Sequence, residues 1–160
     1  MTGDEIPDPH HVVRFVSPSL VVKDENQVPT GGIAPQAFKL KPKDEGKLSV
    51  VWLEYFAGDG QAQRVAAVKS LRNSMDVRPR SGFAVGQVGA IKARCLPHAI
   101  RIVHAPVDIN LAHAEVINLP ENDDTLLEAL ATGEWSELLL NTNVPEGKEP
   151  APAECAYKAA

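Results

Sequence analysis

AIRIVHAPVDINLAHAEVINLP, residues Ala99–Pro120, decides how the rest of the chain is read. Its first part, Ala99–Ala105, is a short apolar run of the kind that forms a buried strand. Strand alternation sets Ile100, Ile102 and His104 on one face and Arg101 and Val103 on the other. Ala105-Pro106 ends the run, because the residue before a proline is driven to extended or turn geometry. A second apolar segment then presents Asn110 and His113, three residues apart, which share a face if the backbone turns helically there. A core strand that runs directly into imidazole and amide side chains is a natural place for a site.

Outward from this stretch, Leu48–Phe56 (LSVVWLEYF) is the second core signal, since both of its alternating faces are largely apolar, as in a central strand. His10–Val16 reads as a strand with His11, Val13 and Phe15 on one side and His10, Val12, Arg14 and Val16 on the other. Leu20–Val22 suits a short edge strand, residues 23–35 a surface loop, and Ala37–Leu40 a short strand. Gln61–Met75 places Ala67, Val68, Leu71 and Met75 on one helical stripe. Phe83–Val88 follows as a strand and Val88–Cys95 as a short helix stopped near Pro97. Asn122–Leu140 reads as mostly helical, with Thr125 and Glu128 at capping-box spacing and Gly133 dividing off a second helix at Trp135–Leu140.

These elements predict one α+β domain over residues 10–142, with a mixed α/β arrangement as the variant. The expected sheet has about five strands, with helices near 61–75 and 123–140. Residues 1–9 are expected to be a disordered leader, and the proline-containing residues 143–160 a disordered tail.

The net charge of −5 hides an uneven distribution. Residues 64–101 carry eight basic side chains against Asp76 alone, whereas residues 102–142 carry eight acidic ones and no lysine or arginine. That asymmetry predicts either one basic and one acidic face or mutual neutralisation across the fold. No run approaches the length of an apolar membrane span. The acidic N-terminus lacks the apolar core of a secretory signal. With Cys95 and Cys155 as the sole cysteines, a disulfide framework is not expected, and a cytoplasmic setting follows.

His104, Asn110 and His113 are the catalytic candidates, since imidazole titrates near neutral pH and serves as general acid or base. His11, Arg14, Arg78 and Arg80 are candidates for holding a phosphate, arginine by a bidentate clamp. Glu54 is expected to pair with an arginine. No metal-ligand spacing stands out, and no cofactor is expected. The basic span 64–101 suits a nucleic-acid backbone, although Phe83 is its sole aromatic and offers no stacking platform.

Three blocks, His11-x-x-Arg14-Phe15, LSVVWLEYF, and His104-Ala105-Pro106 followed by Asn110-x-x-His113, resemble those of a group of small bacterial proteins of unassigned function. The resemblance covers roughly residues 10–140 and implies a bacterial, cytoplasmic protein, with no activity attached. Two expectations follow. The first is an accessory or binding protein acting with a protein partner, within a bacterial multi-gene module of defence or toxin–antitoxin type. The second is a small enzyme or sensor that takes a phosphate-bearing ligand (nucleotide, NAD or RNA) on the His/Asn/Arg cluster.

Overall fold

The computed structural model describes residues 3–159, with side chains as far as Tyr157. Its centre is β1 (His11–Val16), whose β-branched residues suit a strand flanked on both sides. β1 lies between β4 (Lys47–Trp52) and β5 (Gly82–Gln87). Beyond β4 come β7 (His113–Ile117) and β6 (Arg101–His104), and beyond β5 comes β8 (Glu137–Leu140), giving the order β6-β7-β4-β1-β5-β8. All neighbours in this six-stranded sheet are antiparallel. A separate two-stranded ribbon pairs β2 (Val21–Lys23) with β3 (Pro29–Ile33). With helices α1 (Gly60–Ser74), α2 (Val88–Cys95), α3 (Asp124–Thr132) and α4 (Ala156–Ala159), the fold is α+β in one domain.

The register assigns side chains to faces. Val13 stands opposite both Val51 and Val85, and Val51 stands opposite His113, so these four share one face. α1 lies over that face: Arg64 reaches Glu137, and Ser70 meets Asn110. Asp59 starts α1 by accepting a hydrogen bond from the Ala62 N–H at 2.8 Å, satisfying one free donor of the first turn.

The other face packs against α2, α3 and a 3-10 turn at Pro35–Phe38. Trp135 is its keystone: fully buried, stacked on Phe38 at 4.5 Å, with its indole N–H donated to the Ala84 carbonyl. Gly86 makes room for it, since a Cβ there would stand 2.7 Å from the Trp135 ring.

Several elements depart from the local reading. The helix from Asp124 ends at Thr132 with Gly133 as its cap, where the sequence divides it, but the second helix expected at Trp135–Leu140 does not form and Glu137–Leu140 is a strand. The edge of β5 offers those residues backbone partners, and tertiary pairing outweighs the helical preference of Leu138–Leu140. α3 is capped by Asp123, whose carboxylate accepts from the Leu126 N–H, so the Thr125/Glu128 capping box does not form. The strand at Leu48 ends at Trp52 and becomes a 3-10 turn, Leu53–Tyr55. Ala37–Leu40 is not a strand, and the expected loop over residues 23–35 contains β3. The main sheet has six strands where about five are usual.

Both chain ends dock where disorder is expected. Gly3 and Ile6 donate backbone hydrogen bonds to the His104 and Ile102 carbonyls, and His104 donates to Asp4, so the leader extends the sheet past β6. Ile6 is buried beneath it. In the tail, Ala151 and Cys155 are buried, and the Tyr55 hydroxyl donates to the Pro152 carbonyl. A segment poor in apolar residues is held here through its backbone carbonyls, which composition does not reveal. Residues 1, 2 and 160 of the expected leader and tail lie outside the described residues.

Candidate functional site

β1 pairs with β5 along its whole length but with β4 only at Val12–Trp52 and Val13–Val51. β4 meanwhile pairs with β7 from Lys47 to Val51. The two central strands therefore part beyond Val13, and Arg14 fills the gap. Its Nε donates to the Ala37 carbonyl at 3.0 Å and an Nη donates to the Ser49 carbonyl at 2.9 Å. A cleft of about 480 Å³ opens at this place, between the split strands, the end of α1 and the loop that joins β6 to β7.

Arg14 is the unusual group in the cleft. Desolvation lowers its pKa, opposed by the charge of Asp44, yet a guanidinium stays protonated in proteins. Of its five N–H donors, two serve the carbonyls. Among the described residues no carboxylate forms an ion pair with it. Asp44, which borders the same cleft, has a carboxylate oxygen committed to the Lys41 N–H at 2.7 Å. Lys41 and Lys43 are exposed at the same margin.

His113 also faces the cleft. Its Nδ1 lies 2.8 Å from the Ala105 carbonyl. A carbonyl only accepts, so in the neutral ring Nδ1 carries the proton and Nε2 is an acceptor. Asn110 and His113 are brought together by a turn and not a helix, with the His113 N–H bonded to the Asn110 carbonyl. Asn110 is buried and spends its side chain on the fold: Oδ1 accepts from the Ala112 N–H and Nδ2 donates to Ser70. Leu71, Met75, Val107 and Ile109 complete the wall, and Ser49 and Ser74 add hydroxyls. These residues carry no local signal, because they meet only when α1 crosses the sheet.

The other candidates lie elsewhere. His104 stands opposite Ala114 in the β6–β7 ladder, so it projects from the face opposite to His113. It is 6 % exposed, packs on Trp52 and Tyr55, and has Nε2 bonded to the Leu111 carbonyl at 2.8 Å. The sheet separates the two imidazoles that the sequence sets nine residues apart, and they do not share a ligand. His11 holds Glu54 twice, by Nδ1 and by its backbone N–H, each at 2.7 Å, so Glu54 pairs with a histidine in place of the expected arginine. His11 lies outside the cleft, as do Arg78 and Arg80, which are exposed in the loop before β5.

The basic span is largely matched within the molecule. Arg64 pairs with Glu137, Arg94 with Glu134, Lys92 with Asp8 and Arg101 with Glu5. Arg72 is spent on the carbonyls of Asn141, Val144, Pro145 and Gly147. The hydrogen bond to Arg94 holds the Glu134 carboxyl below its usual range. Burial pushes the Cys95 thiol up to about 11, which removes it as a nucleophile near neutrality. Cys155 is likewise unbridged.

Among the described residues, no three histidine, cysteine or acidic side chains gather as metal ligands, and no helix is long and apolar enough to cross a membrane. Compared with protein-family models, with curated proteins and with solved structures, the chain finds no match.

Proposed function

We propose that the protein is a small-molecule binding protein whose cleft takes an anionic ligand, with Arg14 as its anchor. The observation that carries this reading is a half-buried guanidinium that, among the described residues, has no ion-paired carboxylate and borders an open cleft. Such a group is costly to bury uncompensated, and an incoming carboxylate or phosphate supplies the missing charge through a bidentate contact. Lys41 and Lys43 add positive charge at the margin against the single Asp44. The binding role widens the phosphate-bearing ligand of the enzyme-or-sensor expectation to small anions, and does without the two-histidine site. A cytoplasmic setting fits the two free cysteines. A protein partner is the second reading, favoured by Val107 and Ile109, which are exposed on one loop at the rim.

Calorimetric titration of the full chain with AMP, NAD, inorganic phosphate, phenylacetate and a short single-stranded RNA tests the proposal. At least one small anion should bind, and Arg14→Gln should weaken it by about a hundredfold, the loss expected for a charge-assisted bidentate contact. Arg14→Lys keeps the charge and should retain part of the affinity. Equal binding by wild type and Arg14→Gln, or no small anion bound at all, overturns the reading.

A further inference from the structure

The main sheet has two edges, and the fold treats them differently. At β6 the leader closes the edge, with Gly3 and Ile6 donating to the His104 and Ile102 carbonyls and His104 donating to Asp4. At the other end, β8 pairs with β5 alone. The Asn141 N–H bonds to the Ser81 carbonyl, and these two residues continue the β5–β8 register. Bonded and non-bonded pairs alternate along an antiparallel ladder. Glu137 and Leu139 therefore turn their backbone groups towards β5, and Leu138 and Leu140 turn theirs away. Among the described residues, nothing takes the N–H groups of Leu138 and Leu140. β3 lies close to β8, yet the ribbon is hydrogen-bonded as a separate sheet and gives β8 no backbone partner.

Native sheets blunt an open edge with lysine, proline, a bulge or a covering segment. β8 reads Glu-Leu-Leu-Leu, without lysine or proline, and its register with β5 is unbroken. Its one charge, Glu137, is held by Arg64 of the same chain. The three leucines are half-buried.

We propose that this edge docks β8 of a second copy of the chain, antiparallel about a twofold axis at Leu139, so that the two sheets run on as one. The choice of occupant rests on self-complementarity. Pairing centred on Leu139 sets Leu138 opposite the partner's Leu140, in the positions whose backbone groups point outward. The Leu140 N–H then donates to the partner's Leu138 carbonyl, and the Leu138 N–H to the partner's Leu140 carbonyl, twice by symmetry. Leucine meets leucine, and Glu137 stands opposite the uncharged Asn141, so no like charges face each other. Centring the pair on Leu138 would instead set Glu137 against a leucine. A four-residue edge makes a short interface, at the weak end of specific association.

Sedimentation velocity of the full chain tests this over about 5–500 µM, the range in which a short interface dissociates. The wild type should pass from a monomer of 17.2 kDa to a dimer as it is concentrated. Leu140→Pro removes an outward N–H that β5 does not use, at a φ of −87° that lies close to proline's own. That variant should remain folded by circular dichroism, and its dimer Kd should rise about tenfold or more, since symmetry removes two hydrogen bonds. Leu140→Ala also loses the leucine side chain but keeps the N–H, and should dimerise more tightly than Leu140→Pro. Amide hydrogen exchange of the wild type is a second readout, needing no variant: Leu138 and Leu140 should slow as the protein is concentrated. A monomer at every concentration overturns the proposal. So does a dimer whose Leu138 and Leu140 amides exchange as fast as the monomer's, or one that folded Leu140→Pro leaves unchanged.

Discussion

Trp52 donates its indole N–H to His10 Nδ1 at 3.0 Å and lies against Tyr55, His104 and Tyr157. An Nδ1 that accepts a hydrogen bond is unprotonated, so this contact belongs to neutral His10. Desolvation pushes the His10 pKa down; Glu54 opposes this and His11 reinforces it. A base whose folded pKa lies below its unfolded value contributes stability that is present above the unfolded value, near 6.5, and lost as the pH falls through the folded one. The urea midpoint of the wild type, followed by tryptophan fluorescence, should therefore drop between about pH 7 and pH 5. His10→Asn keeps an acceptor but does not titrate, and should flatten that part of the profile. An unchanged slope in the variant would remove His10 as the cause. The same alternation of side chains that brings His10 and His104 to Trp52 sends His113 to the opposite face.

At the scale of elements, the tail and α1 act together. Arg72, near the end of α1, gathers the carbonyls of Asn141, Val144, Pro145 and Gly147, and the Glu149 N–H bonds to the Lys69 carbonyl. Further on, Ala151 and Cys155 bury against the body, and Tyr157 sets its ring edge-on to His10 at 4.6 Å. Charge-assisted hydrogen bonds contribute about 1.5–3 kcal/mol each where they are shielded and less where exposed. Truncation after Asn143 should lower the Tm by roughly 5–10 °C in a domain of this size. Arg72→Gln in the full chain should give a part of that loss. A truncated chain that melts with the wild type would show that the tail is only draped on the surface.

For the whole molecule, the basic span 64–101 is matched by acids of residues 102–142 and of the leader. Four cations of the span 64–101 meet acids from outside it, and Arg72 meets carbonyls, which leaves Lys69, Arg78 and Arg80 without an ion pair among the described residues. Non-specific nucleic-acid binding scales with the number of phosphates that free cations neutralise. Three such cations in this span, on a protein of net charge −5, do not make it a phosphate-binding face. A labelled DNA duplex or single-stranded RNA should show no measurable binding in fluorescence anisotropy at about 0.15 M salt. Micromolar binding that weakens in Arg78→Gln and Arg80→Gln would instead identify the loop before β5 as a contact surface.

What the sequence determined by itself is local. The apolar stripe of Ala67, Val68 and Leu71 marks a helix read at 61–75 and found at Gly60–Ser74, and the runs at Phe83 and Ile100 mark strands. Helix and strand periodicity is written within a dozen residues, so these elements were legible, as were Arg14, Asn110 and His113 as polar residues placed next to core segments. The tertiary structure alone decided the rest. Glu137–Leu140 is a strand because the edge of β5 lies open to it. His104 and His113 part because Ala114, and not His113, stands opposite His104 in the ladder. Arg14 borders a cleft because β1 and β4 separate after Val13. Each of these depends on which distant backbone pairs with which, and a one-residue change of register would send every side chain concerned to the other face.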